Sequence, residues 1–209
     1  DPNVNMMGWV RVNSASQIFD ESGISQQSIN NSQKDINSEQ EAFNSKQIEI
    51  NLGVNSVNDL LNIDSPEDND RVFVKSYHEG LNKGGGTFIY DSTKALVNDY
   101  GLTISGWVRV LDDAVITPQM FGALGDGVAD DTASIQRAID ALAAIATSDT
   151  RQTLFFPSGS YHTTVTLQAK TWVAIVGENK TSTRFLDAFS TGTFALQQFT
   201  TFSDLLFET

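Results

Sequence analysis

The stretch Ile116-Thr117-Pro118-Gln119-Met120-Phe121-Gly122-Ala123-Leu124-Gly125-Asp126-Gly127-Val128-Ala129-Asp130-Asp131-Thr132, followed by Phe155-Phe156-Pro157-Ser158-Gly159-Ser160-Tyr161, decides the reading of this chain. Gly122, Gly125 and Gly127 supply turns with φ > 0, a region closed to most side chains. Asp130 or Asp131 can then accept hydrogen bonds from the first free N–H groups of a helix. From Thr132 the apolar residues Ile135, Ala138, Ile139, Leu142 and Ile145 recur at three- and four-residue spacing, the stripe of an amphipathic helix of about four turns. Asp126, Asp130 and Asp131 would sit at the positive end of its dipole. A glycosidase also needs two carboxylates, one on either side of the scissile bond. Turn and cap duties account for all three Asp residues, however, so structural roles are expected and no catalytic residue is assigned.

After the helix the chain repeats. Leu154, Ala174 and Phe194 stand twenty residues apart, as do Phe156, Val176 and Leu196, and a second series runs Val165, Phe185, Leu205. A fixed period of this size predicts a solenoid of short stacked strands around a continuous apolar interior. The first coil of such a stack has an open edge of unpaired N–H and C=O groups, which a helix over 132–146 can cover. At the other end Asp204-Leu205-Leu206-Phe207-Glu208 is strand-like and leads to Thr209 without a turn or polar closing segment, so the 209 residues are expected to be the front part of a longer protein.

The same residues resemble the pectate-lyase-like superfamily as it occurs in bacteriophage tailspikes. There FGA-x-GDG-x-x-DD-[ST] leads into a capping helix, and FP-x-G-x-Y begins the first rung. The resemblance covers residues 116 to about 185. It implies a right-handed parallel β-helix whose GDG…DD segment is structural.

Composition agrees with a soluble virion or extracellular protein. With a net charge of −13, a nucleic-acid footprint is not expected. There is no apolar run of membrane-spanning length and no signal segment at Asp1. With 0 Cys, stability must come from packing, coil stacking and oligomerisation rather than disulfides. His78 and His162 lie far apart without metal-ligand spacing, so no metal or cofactor is expected.

Upstream, Gln26, Gln33, Gln40 and Gln47 fall seven residues apart, and Ile29, Ile36, Phe43 and Ile50 follow each by three. This is a heptad register with Gln at a and an apolar residue at d. Phe19 precedes it at a, while Val54, Val57 and Leu61 continue it at a, d and a. A strict seven-residue repeat implies a left-handed coiled coil, and polar a positions fix register and oligomer state at a cost in stability. Three Gln side chains in one layer can hydrogen-bond around a three-fold axis, so these eight residues are the expected trimer interface. A flexible linker is the competing reading, because Ser, Asn and Gln are frequent between Ser25 and Ser45.

Between the neck and the solenoid a small β domain is expected. Ser56 can cap a short helix holding Val57, Leu60 and Leu61. Arg71–Tyr77, Thr87–Tyr90 and Gly106–Val110 alternate like strands, with Gly84-Gly85-Gly86 predicted as a hairpin turn between the first two. Tyr77-His78-Glu79-Gly80, the triple glycine and Trp107-Val108-Arg109 resemble the small β domain that precedes the β-helix in many tailspikes. Lys83-Gly84-Gly85-Gly86-Thr87 has the wrong order for a phosphate-binding loop, and Ser158 lacks the flanking glycine of a nucleophile elbow.

Gly8-Trp9-Val10-Arg11-Val12 recurs as Gly106-Trp107-Val108-Arg109-Val110. Residues 1–22 are too short to form a core and are expected to order against another protein; Met7, Trp9, Arg11 and Phe19 are the candidate attachment residues.

The expected architecture is mostly β with a helical neck: attachment segment 1–22, trimeric coiled coil 23–55, small β domain 56–115, and 116–209 as capping helix and first coils of a right-handed parallel β-helix. By resemblance, this is the virion-anchoring N-terminal portion of a homotrimeric phage tailspike, made in the host cytoplasm and carried in the virion tail. Its partners would be a tail or baseplate adaptor protein and, through downstream coils, a bacterial surface polysaccharide that the full-length protein depolymerises by hydrolysis or lyase elimination. Neither nucleic acid nor membrane is expected as a partner. The alternatives are a secreted monomeric lyase or hydrolase and a fibre that binds glycan without cleaving it.

Overall fold

The computed structural model describes residues 10–11, 18–19, 26–111, 115–187, 194–195 and 201–208. They fall into two compact units, residues 1–48 and 49–209. In the first unit β1 (Val10–Arg11) pairs antiparallel with β2 (Ile18–Phe19), Val10 opposite Phe19 and Arg11 opposite Ile18. Helix α1 then runs Gln26–Leu52, 27 residues, or about 40 Å at 1.5 Å per residue. Every residue from Gln27 to Asn44 is exposed. This stretch of the helix therefore has no core of its own within the chain.

In the second unit Gly53 takes φ 76°, and a Cβ there would lie 2.4 Å from the Phe73 carbonyl oxygen. This glycine ends the heptad register. The next residue, Val54, bridges Val74, donating to Phe73 O at 2.8 Å and accepting from Lys75 N at 2.9 Å. Val54 and Val57 are consequently buried in the small domain's core, and Leu61 is exposed at the end of α2 (Val57–Leu61). The expected continuation of the heptads through these three residues is corrected accordingly. Ser56 caps α2 as predicted, in a reciprocal box with Asp59.

Four antiparallel strands follow: β3 (Arg71–Ser76), β4 (Gly84–Tyr90), β5 (Thr103–Ile104) and β6 (Trp107–Arg109), in the order β3-β4-β6-β5. Alternation along β3 buries Val72, Val74 and Ser76 and leaves Arg71, Phe73 and Lys75 outside. The triple glycine is not the hairpin turn. Gly84 and Gly86 lie within β4 opposite Ser76 and Val74, and the turn falls upstream, closed by Tyr77 N donating to Lys83 O at 2.7 Å. Glycine is required because strand and neighbours approach closely: a Cβ on Gly85 would stand 2.4 Å from the carbonyl oxygens of Val74 and Lys75.

The remainder is a stack of parallel strands. They are β7 (Asp126–Asp130), β8 (Gln152–Phe156), β9 (Gly159–Thr163), β10 (Leu167–Gln168), β11 (Val173–Gly177), β12 (Thr183–Asp187), β13 (Phe194–Ala195), β14 (Thr201–Ser203) and β15 (Leu206–Glu208), with α3 (Thr132–Ile145) between β7 and β8. Three sheets result, β14-β11-β8, β15-β12-β9-β7 and β10-β13, each pairing a strand with its counterpart one coil on. The interior carries Leu154, Phe156, Tyr161, Leu167, Val173, Ile175 and Phe185, all fully buried.

A solenoid is present, but the twenty-residue period is not its repeat. Leu154 stands opposite Ile175 and Ile175 opposite Phe202, steps of 21 and 27 residues. Tyr161, Phe185 and Phe207 align at steps of 24 and 22. The twenty-residue series matched Leu154 with Ala174 and Phe156 with Val176, outward residues of β11, because a slip of one residue turns a strand over. Val165 is 64% exposed, and Leu196 lies outside the described residues. Stacking holds the strands in register, whereas the turns between them differ in length.

Helix α3 lays Ile135, Ala138, Ile139, Ala141 and Leu142 into the same core as the first coil. Ile145, assigned to this stripe by spacing, is 49% exposed instead, because it falls at the helix's last residue.

Candidate functional site

All eight heptad residues, from Gln26 to Ile50, lie on α1. Ile29, Ile36 and Phe43 are 40, 56 and 57% exposed, an apolar row repeating every seven residues. Seven residues on a straight helix fall about 20° short of two full turns, so the row drifts slowly and remains one seam. The two described Gln residues beside it are held locally: Gln33 Nε2 donates to Asn37 Oδ1 at 2.9 Å, and Gln40 Nε2 to Asn44 Oδ1 at 3.0 Å. This repeated i, i+4 amide pair was not singled out from the sequence, although its spacing was visible there. Each pair restricts its amides within the helix.

Of the candidate attachment residues, Arg11 and Phe19 fall in the two-stranded ladder, Arg11 opposite Ile18 and Phe19 opposite Val10. Met7 and Trp9 lie outside the described residues.

At the opening of the β-helix, each aspartate holds a turn. Asp126 Oδ1 accepts from Val128 N and Ala129 N at 2.8 and 2.9 Å. Hydrogen bonds from Ala129 and Val128 hold its carboxyl below the ordinary range. Asp130 Oδ1 accepts from Thr132 N at 2.9 Å at the start of α3, and its Oδ2 accepts from Thr164 Oγ1 at 2.6 Å. Partial burial, the largest single influence, pushes Asp130 up, but hydrogen bonds from Thr132 and Thr164 outweigh it and the net shift is down. Asp131 departs from the cap role: its Oδ1 accepts from Leu124 N at 2.6 Å and its Oδ2 from Gly125 N at 3.0 Å. At 1% exposure it clamps the Phe121–Gly125 loop, and burial raises its pKa. These bonds employ the carboxylates in local architecture.

His78 and Ser158 also have structural side-chain partners, whereas His162 does not. His78 Nε2 donates to Gly122 O at 2.9 Å; His162 contributes only its backbone carbonyl, which accepts from Asp131 N at 2.8 Å, and its buried Nδ1 has no hydrogen-bond partner among the described residues. Ser158 donates from both N and Oγ to Glu178 Oε2, at 2.7 and 2.6 Å, tying successive turns of the stack. Among the described residues no group of three His, Asp or Glu could hold a metal ion, and no helix is long and apolar enough to cross a membrane.

Residues 53–112 match the family of the phage tail protein small four-stranded β-sheet domain, and four strands are what they form. Residues 118–202 match the rhamnogalacturonase A/epimerase, pectate lyase-like family. Among similar solved structures is the tailspike protein of Acinetobacter phage vB_ApiP_P1, 25% identical with a TM-score of 0.63 over 74% of this chain and 29% of that one. The chain is tailspike-like. Similar too is WceF of Pantoea stewartii, a glycan biofilm modifying enzyme with a tailspike-like parallel β-helix fold, 25% identical at a TM-score of 0.63 over 74% of this chain and 24% of that one. The Mu-like prophage FluMu defective tail fiber protein of Haemophilus influenzae is 34% identical over 94 residues, 42% of this chain and 15% of that protein. This tailspike-like chain thus spans less than a third of the length of each.

Arg109 was missed as anything more than a strand residue. It is 5% exposed and stacks 4.4 Å over the Phe88 ring. Burial pushes its pKa down to about 10, so it remains charged at neutral pH.

Proposed function

We propose that this chain is the virion-proximal part of a homotrimeric phage tailspike. Residues 1–22 attach to a tail or baseplate adaptor protein through Met7, Trp9, Arg11 and Phe19. Residues 23–55 form a three-stranded neck, with Gln26, Gln33, Gln40 and Gln47 at a and Ile29, Ile36, Phe43 and Ile50 at d. The small β domain over 56–115 connects the neck to a right-handed β-helix, begun in 116–209 and capped by α3. Downstream coils of the whole protein bind and depolymerise a bacterial surface polysaccharide.

The observation that carries this reading is the seven-residue apolar row of Ile29, Ile36 and Phe43 on a helical stretch, Gln27–Asn44, whose every residue is exposed, in a chain that also matches a phage tail domain and a pectate-lyase-like domain. A lone helix with this composition gains little from packing, so its stability requires partners along the row. Two further copies of the same chain supply the same row in the same register, with Gln amides meeting in layers.

The sequence has 0 Cys, so single introduced thiols report directly on proximity. Under mild oxidation Ile36→Cys should give covalent dimers within the trimer, whereas Asn31→Cys, on the opposite side of the helix, should not. Equal yields at the two positions would refute the register, and absence of any product at position 36 would refute the neck.

A further inference from the structure

We infer that the small four-stranded domain is the outer part of the β-helix's closure, and that it folds and unfolds with the first coil as one unit rather than as a separate module. Segment 116–124 lies directly on the first coil. Ile116 bridges Leu154, Phe155 N donates to Ile116 O at 2.8 Å, Gln119 Nε2 donates to Tyr161 Oη at 2.7 Å, and Phe121 and Ala123 are buried in the coil's core. The small domain covers that segment in turn.

Three contacts leave no room for a methyl group. A Cβ on Gly84 would stand 1.9 Å from Gln119 O, one on Gly101 2.4 Å from the Phe121 ring, and one on Gly122 2.7 Å from the Tyr77 ring. Glycine therefore sits on both sides of the joint, and the surfaces meet backbone to backbone and backbone to ring. Leu102 extends the contact into the β-helix core itself.

Arg109 is the polar centre of this joint. Its Nε donates to Gly101 O at 2.9 Å, Nη1 to Gly85 O at 2.5 Å, and Nη2 to Gly84 O at 3.0 Å and Met120 O at 3.4 Å. One guanidinium thus holds β4, the loop before β5 and the segment on the first coil. A buried charge satisfied by carbonyls from all three is costly to leave half-partnered, so the pieces separate together or not at all. Around it His78 donates to Gly122 O at 2.9 Å, Lys83 Nζ donates to Leu124 O at 3.2 Å, and the Arg137 guanidinium of α3 lies 4.5 Å over the Tyr100 ring. A planar five-donor fork reaches carbonyls on several sides at once, which a lysine ammonium cannot.

The test is hydrogen exchange of the full chain, comparing peptides from β4 and β6 with peptides from β8 and β9. Phe88→Ala removes a ring from the small domain's core, far in sequence from the coil. If the two fold as one, exchange should accelerate by the same factor on both sides, on the order of 100- to 1,000-fold. Arg109→Lys keeps the charge and loses the fork, and should give equal factors of about ten; it serves if Phe88→Ala does not fold. Faster exchange confined to the small domain, with β8 and β9 still protected, would overturn the inference. So would unchanged exchange on both sides.

Discussion

Helix α1 and the opening of the β-helix specify structure in opposite ways. Along α1 every residue from Gln27 to Asn44 is exposed, and the instruction lies in spacing: an apolar residue every seventh position and a local amide pair beside it. At the opening the instruction lies in clearance, through glycines that admit no Cβ, aspartates bonded to named N–H groups, and aromatic rings in contact. On the proposed reading, periodicity prepares a surface for a partner outside the chain, whereas close local chemistry completes a core within it.

That contrast predicts unequal responses to the loss of a phenyl ring. Phe156 is fully buried, with the Tyr161 and Phe185 ring centroids 5.0 Å away. Phe156→Ala should cost about 3–5 kcal/mol in urea unfolding of the β-rich part. Phe43, 57% exposed, should leave that transition within about 0.5 kcal/mol when replaced by Ala, while weakening self-association. Comparable losses of β-helix stability from the two would erase the distinction.

Gly122→Ala sharpens the point about clearance. With φ 96° and the Tyr77 ring 2.7 Å from the new Cβ, one methyl group should cost about 1–3 kcal/mol, read as a lower thermal midpoint. An unchanged midpoint would mean that the joint can widen.

A smaller effect is expected from pH. Burial raises Asp131, so its contribution to stability is fully present below its ordinary value of 3.8 and is lost as pH rises through the raised value. Asp126 and Asp130, shifted down, contribute stability present above 3.8 and lost on acidification through their lowered values. Asp131→Asn removes the opposing slope. The thermal midpoint of the variant should therefore climb more steeply than that of the parent as pH rises above 3.8, and a shallower climb would contradict the assignment. Smallest of all should be Lys94→Ala, which breaks a 3.1 Å pair with Asp91 whose side chains are 46 and 34% exposed; a change beyond about 1 kcal/mol in urea unfolding would be unexpected.

What could be read in advance follows the same division. Ser56 as a cap, β3 with its alternation and α3 from Thr132 are local matters, and each is present as predicted. The coil spacing was misread because stacking fixes register between strands and not the length of the turns joining them. The triple glycine looked like a turn because glycine signals both turns and close approach, and only the neighbouring carbonyls of Val74 and Lys75 distinguish the two. Asp130 or Asp131 was expected to accept from the helix's first N–H groups; Asp130 does so, from Thr132 N, whereas the Asp131 carboxylate points back to Leu124 and Gly125. Arg109 was illegible because its partners are backbone carbonyls, which leave no mark on side-chain identity.

The most direct test of the proposed neck is the absolute mass of the 209-residue chain in solution, by light scattering. A homotrimer requires three times the chain's 22.8 kDa, falling to a single chain on Ile36→Asn while the β-rich unit stays folded. A mass of one chain for the unaltered protein would contradict the account and return α1 to the status of a linker.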